Sequence, residues 1–163
     1  MGELRDLYDK DSNVTGKTYH KGEKIPEGYY PMVVMIEIMN SKGELLMQKR
    51  SKKKGEYWGV TGGHPKAGET PYEGLLTEVR EELGLDFSNE DIVELESGCD
   101  GEDCYKMYYL KKDIDINDIT IQEEELSGVR WFTIDELKHM VETNEMRDAQ
   151  AQCFNKFCKH MNL

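Results

Sequence analysis

The chain has 163 residues, a length typical of one domain that buries a hydrophobic core without disulfides or metals to hold it together. Its 33 Asp and Glu outnumber its 21 Lys and Arg, so the formal net charge is −12 at pH 7. This balance argues against nucleic-acid and membrane-surface partners, because both require a basic surface. The N-terminal segment has no apolar signal-peptide core, and no apolar run approaches the about 20 residues that span a bilayer. We therefore expect a soluble, cytoplasmic protein with a single domain over residues 1–163.

The first third of the chain predicts two hairpins. Residues 1–31 are expected to form an N-terminal hairpin extension, with strands over 4–8 and 14–20 around a turn rich in Asp, Ser and Asn. The apolar, β-branched run 32–39 predicts a central strand, and 44–50 is expected to pair back with it.

A basic loop follows the second hairpin. Residues 51–57 hold three lysines, and a solvated loop explains them as well as phosphate contacts do. Arg50 ends the preceding strand, and its guanidinium can form two parallel hydrogen bonds with a phosphate. We therefore predict Arg50 as a substrate contact.

The stretch 62–85, GGHPKAGETPYEGLLTEVREELGL, begins as a glycine-rich turn and becomes a helix. Thr70 supplies an N-cap hydroxyl, a proline occupies the first helical position, and Glu73 completes a capping box. Gly84 suits the position just after a helix C-terminus. These signals predict a helix over 71–83.

Three carboxylates share one flank of this predicted helix. Glu78, Glu81 and Glu82 are spaced i, i+3, i+4 and repel one another, whereas Gly74 leaves the same flank bare one turn earlier. A hard divalent cation would remove the repulsion, because Mg²⁺ takes oxygen ligands from carboxylates and substrate phosphates. A solvated acidic face is the alternative.

The loop and helix together resemble the Nudix box, G-x5-E-x7-R-E-U-x-E-E-x-G-U, where U is a bulky aliphatic residue. From Gly63 the chain reads five residues, Glu69, seven residues, then TEVREELGL. Thr77 is the one departure, since the box has Arg there. The resemblance implies an α/β fold, an α/β/α sandwich around a mixed sheet. It also implies a hydrolase that uses Mg²⁺ or Mn²⁺ to cleave a diphosphate linkage in a nucleoside diphosphate-X or a related small molecule.

The resemblance also assigns roles to the matching residues. It implies Glu78 and Glu82 as the main metal ligands, Glu81 as a third ligand or base, and Gly63 as a backbone position close to the metal or phosphate. It implies a structural supporting role for Glu69.

Thr77 cannot form the bidentate ion pair of the family arginine. We therefore expect a weaker or differently supported site, with Arg80 or Lys66 as replacement cations.

Many Nudix proteins draw a further base or ligand from a glutamate outside the box. Glu123, Glu124 and Glu125 precede the predicted strand 128–132, where such a residue often lies. Any of the three qualifies, and Glu124, at the centre of the run, is the predicted substrate contact. An acidic surface loop is the alternative.

The run Gly63-His64-Pro65 also resembles isopentenyl diphosphate isomerases, which bind a divalent metal through a histidine at this place. Those enzymes require a cysteine directly before the run, where this chain has Gly62, so isomerase chemistry is disfavoured. His64 is a candidate metal or substrate contact, with loop packing as the alternative.

The remainder of the chain predicts strands over 91–98, 104–111 and 128–132 and two C-terminal helices, the first capped at Thr133 and the second over about 145–161. The four cysteines, Cys99, Cys104, Cys153 and Cys158, are expected to be reduced and unligated in a cytosolic protein.

Two classes of function remain open at this stage. One is a metal-dependent diphosphate hydrolase, and the other is a Nudix-fold binding module that has lost turnover with the box arginine. The partner is a small-molecule diphosphate in both cases. Dimers are common in the family that the chain resembles, which leaves a homodimer open.

Overall fold

The computed structural model describes residues 2–163. Nine strands and three α-helices follow in the order β1 (Leu4–Tyr8), β2 (Val14–His20), β3 (Met32–Met39), β4 (Leu45–Arg50), β5 (Trp58–Gly59), β6 (Thr61–Gly63), α1 (Pro71–Leu83), β7 (Val93–Cys99), β8 (Cys104–Lys111), β9 (Leu126–Phe132), α2 (Ile134–Glu142) and α3 (Asp148–Met161). Every strand and helix that the sequence predicts is present, with bounds that differ by a few residues at most.

Seven strands form one mixed sheet at the centre of the molecule. The strand order is β5-β4-β3-β8-β7, with β6 also pairing with β3 and β9 with β4. β3 and β8 run parallel, from Met32 beside Cys104 to Met39 beside Lys111. The other pairs are antiparallel. β3 is apolar along most of its length because it lies inside the sheet and both of its faces are covered.

Helices cover the two faces of this sheet. Alternate β3 residues, among them Val34 and Ile36, pack with Leu75 and Val79 of α1. The opposite face packs with the apolar residues of α2 and α3, including Phe157. This arrangement confirms the predicted α/β/α sandwich. Within residues 2–163, no helix is both long and apolar enough to span a membrane.

The hairpin formed by β1 and β2 is a separate two-stranded sheet that is fastened to the rest of the fold. Tyr8 and Tyr30 exchange two backbone hydrogen bonds, of 2.8 and 2.9 Å. At the other end of β1, the Ala67 N–H donates to the Leu4 carbonyl (2.9 Å), and the Gly68 N–H donates to the Asp6 carboxylate (2.9 Å). The hairpin is therefore held directly against the loop that precedes α1.

The caps of α1 form as the sequence predicts. The Thr70 hydroxyl accepts from the Glu73 N–H (3.1 Å), and the Glu73 carboxylate accepts from the Thr70 N–H. Gly84 ends the helix with φ 68°, in the left-handed region that favours glycine.

The expectation of four reduced cysteines is wrong for one pair. Cys99 and Cys104 lie opposite each other in the β7–β8 hairpin and form a disulfide. Cys153 and Cys158 are free and buried. The expectation rested on a reducing compartment, whereas the antiparallel register of the predicted hairpin places the two cysteines directly opposite each other.

Candidate active site

A cavity of about 710 Å³ lies where α1, β3, β6 and the N-terminal hairpin meet. Its wall includes all three predicted carboxylates, together with Gly63, His64 and Arg50. Most of the predicted site residues thus line one cavity. Glu69 and Thr77 do not line it, and Glu124 lines a separate surface depression.

Glu78 reaches from α1 to the backbone of β6. A Cβ atom on Gly63 would lie 2.5 Å from the Glu78 carboxyl carbon, so only glycine lets this side chain approach the strand so closely. Burial, followed by the charges of Glu82, Glu81 and Glu3, raises the pKa of Glu78 to about 8.

Glu82 is the most buried of the three, with a relative exposure of 6%. Gln48 of β4 donates to its carboxylate (2.8 Å) and itself accepts from the Thr61 hydroxyl (2.7 Å). Burial raises the pKa of Glu82, while Gln48 and the Arg50 charge oppose the rise. Gln48 was not among the predicted site residues, although it is visible in the sequence as an amide after the apolar start of LLMQKR.

Glu81 is exposed and points toward a lysine. The Lys66 ammonium group lies 2.7 Å from its carboxylate, and both side chains are about two-fifths exposed. An ion pair this exposed contributes little to stability and exchanges readily with other partners. Lys66, one of the two replacement cations suggested by the sequence, thus contacts the box carboxylate closest to solvent.

Thr77 supports Glu69. Its hydroxyl donates to one Glu69 oxygen (2.6 Å), and the Lys66 N–H donates to the other (2.7 Å). Glu69 therefore connects Lys66, in the loop before α1, to the middle of α1. This contact agrees with the predicted supporting role of Glu69, and a neutral hydroxyl provides it.

His64 is held by its first ring nitrogen. Nδ1 lies 3.0 Å from the Met32 carbonyl, which requires a proton on Nδ1 and leaves Nε2 with its lone pair. Burial lowers the pKa of His64, and the nearby positive charges of Arg5 and Lys21 lower it further. The hydrogen bond to Met32 holds the loop, and His64 also lines the cavity, so its role as a metal or substrate contact stays a prediction.

Arg50 and Glu125 face the cavity from the other side. Within residues 2–163, the Arg50 Nε is buried and has no hydrogen-bond partner. Glu125 lines the cavity and lies 3.6 Å from Lys54, which also lines it. The predicted contact Glu124 instead lines a separate surface depression, and its carbonyl accepts from a serine hydroxyl. The backbone of the turn before β9 directs only the last glutamate of the run inward.

Two groups of cavity residues were absent from the sequence analysis. The N-terminal hairpin contributes Glu3, Arg5 and Lys21, and α3 contributes Gln150 and Cys153. Both groups come from segments far from the box in sequence, and no local pattern marks them.

The donor set fits a hard divalent cation. In the described part of the chain, no three His, Cys, Asp or Glu side chains are already grouped as a metal cage. Mg²⁺ does not require one, because it is usually held by one or two carboxylates together with waters and substrate phosphates. Glu78 and Glu82 line the cavity together with Gly63, whose missing side chain leaves room for the Glu78 carboxylate, and they supply such a pair.

Buried carboxylates and an arginine around one cavity, on an α/β/α sandwich, define an enzyme that acts on an anionic small molecule with the help of a metal. Comparison with known proteins is consistent with this class. The NUDIX domain model matches residues 29–154. An uncharacterized Nudix hydrolase of Listeria monocytogenes is 35% identical over 146 residues, which cover 86% of this chain and 85% of that protein. The chain therefore belongs to the Nudix family and is a Nudix-type hydrolase.

Solved structures agree in fold. The crystal structure of DR0079 from Deinococcus radiodurans has a TM-score of 0.80 at 23% identity, covering 94% of this chain and 98% of that one. The NUDIX domain of NrtR from Shewanella oneidensis, complexed with ADP ribose, has a TM-score of 0.62 at 15% identity. It covers 86% of this chain and 92% of that chain.

Proposed function

We propose that this protein hydrolyses a diphosphate linkage in a nucleoside diphosphate-X or a related small molecule, with Mg²⁺ or Mn²⁺ as the cofactor. The observation that carries the proposal is the presence of Glu78, Glu82 and Arg50 around one cavity. Carboxylates at this place hold a divalent cation, and a guanidinium beside them binds a phosphoryl oxygen.

Glu78 and Glu82 are the proposed metal ligands, and the backbone of Gly63 is a third place that the metal or a phosphate can approach closely. Bound there, the metal neutralises phosphate oxygens and acidifies the attacking water. The hydrogen bond from Gln48 keeps the Glu82 carboxylate oriented, and Thr61 in turn fixes the Gln48 amide. Glu81 would be a further ligand if its carboxylate released the Lys66 ammonium group.

Glu125 is the proposed general base outside the box. It lines the cavity, and its negative charge raises the pKa of Glu82, which indicates that the two carboxylates are close. Glu81 is the alternative base, because it is the most exposed of the box carboxylates. In either case the carboxylate takes the proton of the attacking water.

A binding module without turnover is the second candidate. Thr77 favours it, since a threonine cannot form the bidentate ion pair of the arginine that the Nudix box has at this position. The NrtR domain in complex with ADP ribose is a Nudix fold that binds such a ligand. Isomerase chemistry has no comparable support, because a side chain at Gly62 would collide with the backbone of β3.

Product release from a panel of nucleoside diphosphate derivatives and other diphosphates tests the proposal. Assays contain Mg²⁺, Mn²⁺ or EDTA and compare the wild-type protein with Glu82→Gln. Glu142→Gln is the matched control, because it removes the same charge from an exposed position of α2.

We expect metal-dependent turnover that Glu82→Gln lowers at least about 100-fold, as loss of a group that stabilises the transition state does, and that Glu142→Gln leaves unchanged. Absence of turnover, with thermal stabilisation by the same compounds, would instead establish the binding module.

A further inference from the structure

The N-terminal hairpin places its own charged residues in the catalytic cavity. Glu3, Arg5 and Lys21 line the cavity together with Glu78. All three hairpin residues precede residue 29, where the match to the NUDIX domain model begins. They therefore lie outside the part of the chain that the domain model matches.

Hydrogen bonds fix the position of these residues relative to the carboxylates. Leu4 and Asp6 on either side of Arg5 accept hydrogen bonds from the loop that leads into α1. The Lys21 N–H donates to the Glu3 carbonyl (2.8 Å), which extends the pairing of β1 and β2 by one residue. Arg5 and Lys21 thus belong to a hairpin whose backbone is hydrogen-bonded to the loop before α1.

The charges of the hairpin are only partly neutralised. Arg5 is paired with Glu3 at 2.9 Å, and its side chain is 12% exposed. Within residues 2–163, Lys21 forms no ion pair. Two cations that face a cavity in a protein of net charge −12 indicate that the ligand carries negative charge at this end.

The two sides of the cavity divide the cations. Arg50 lines the cavity from the end of β4, whereas Arg5 and Lys21 line it from the N-terminal hairpin, which is hydrogen-bonded to the loop before α1. A diphosphate has two phosphoryl groups to be held, one at the metal carboxylates and one beyond them. We propose that Arg5 and Lys21 form an anion subsite for the phosphoryl group that is not attacked. This inference rests on the proposed function.

Calorimetric titration with inorganic pyrophosphate in the presence of Mg²⁺ tests the subsite. The variants are Lys21→Gln, Arg5→Gln and the control Lys17→Gln. Lys17 lies on β2, the strand that directly precedes Lys21. Its ammonium group lies over the Tyr29 ring, and Lys17 does not line the cavity. All three changes remove one positive charge, so a general electrostatic effect would appear equally in each.

We expect Lys21→Gln and Arg5→Gln to raise the Kd for pyrophosphate roughly tenfold or more, as loss of a charge-assisted hydrogen bond does. Lys17→Gln is expected to change it less than about twofold. Arg5→Gln removes the ion pair with Glu3 and can disturb the hairpin. Lys21 is exposed, so we expect Lys21→Gln to fold like the wild-type protein. Equal Kd values for Lys21→Gln and the wild-type protein, or no binding by the wild-type protein, would overturn the subsite.

Turnover of Glu82→Gln separates this inference from the proposed function. If Glu82→Gln is inactive and Lys21→Gln binds pyrophosphate as tightly as the wild-type protein, the subsite is wrong and the hydrolase stands. If Glu82→Gln retains turnover while Lys21→Gln binds weakly, the subsite stands and the assigned metal chemistry is wrong.

Discussion

Thr77 occupies the position where the Nudix box has arginine, and its contact shows how the site manages without that cation. The hydroxyl binds Glu69, which also receives the Lys66 N–H, so the loop and the helix stay connected through one carboxylate. The positive charge that is lost at position 77 returns in part through the Lys66 side chain, which pairs with Glu81. The contacts of the box carboxylates Glu69 and Glu81 are thus divided between a neutral donor and a lysine.

Replacement of Thr77 by valine tests this support. The change keeps the shape of the side chain and leaves one Glu69 oxygen unpaired, so we expect the free energy of unfolding to fall by about 1–2 kcal/mol and turnover to fall with it. Urea denaturation and the hydrolysis assay measure the two effects. The control is Thr18→Val, an exposed threonine of β2. Equal losses in both variants would show that the Glu69 contact has no special role.

At the scale of the elements, α1 and the loop before it form one unit. Gly74 faces Pro65, and a Cβ at this position would lie 2.7 Å from the proline Cβ and 2.9 Å from its Cα. The flank of α1 that has no side chain one turn before Glu78 is therefore the surface against which Pro65 and its loop pack. Pro65 stands between His64 and Lys66, so this packing also positions both of those side chains.

Gly74→Ala is expected to destabilise the protein although alanine is the better helix former. In an unobstructed helix the change stabilises by roughly 0.5–1 kcal/mol. Here the backbone of Pro65 must shift, and overpacking of this kind costs about 1–3 kcal/mol. We expect a lower melting temperature and reduced turnover.

Gly128→Ala in β9 is the control for that variant, because a Cβ there meets no atom within 4 Å. A rise in the melting temperature of Gly74→Ala would contradict the packing argument.

At the scale of the whole molecule, one buried carboxyl joins the sheet to the C-terminal helix layer. Glu37 lies on β3 with no exposed surface, on the face that packs against α3. The Cys153 thiol is 3.5 Å from one of its oxygens, and in the described residues its other oxygen has no hydrogen-bond partner. Burial raises the pKa of Glu37 to about 8, and the Cys153 contact opposes the rise.

This shift predicts a loss of stability as pH rises. Between the usual pKa of 4.5 and about 8, the folded chain keeps a proton on Glu37 that the unfolded chain has released. The free energy of unfolding therefore falls from about pH 5 toward pH 8, by up to about 1.4 kcal/mol per pH unit.

Glu37→Gln removes that contribution, because the amide does not titrate. We expect the melting temperature of the variant to rise relative to the wild-type protein as pH increases through this range. Glu142→Gln, which is exposed, should follow the wild-type curve. Parallel curves for Glu37→Gln and the wild-type protein would show that Glu37 is not a buried acid.

Local patterns predicted most of the elements and the centre of the site. Capping residues set the start of α1, and its spacing placed Glu78 and Glu82 on the flank that faces the cavity. The same reasoning could not choose among Glu123, Glu124 and Glu125, because a turn decides which side chain points inward. It also treated Cys99 and Cys104 as free thiols, because the prediction assumed a reducing cytosol and did not use the register of the hairpin that joins them.

The sequence by itself determined the carboxylate helix, because capping residues and helical spacing are local, and it pointed to the family and the α/β/α fold through the resemblance of residues 63–85 to the Nudix box. Tertiary structure alone decided that Gln48 orients Glu82, that Thr77 supports Glu69, and that Glu125 rather than Glu124 faces the cavity. It also brought Arg5 and Lys21 of the N-terminal hairpin to the wall of the cavity. Except for the contact of Thr77 with Glu69, eight residues earlier, these arrangements join segments that are distant in sequence, and only the packing of the hairpin and sheet against α1 sets their distances.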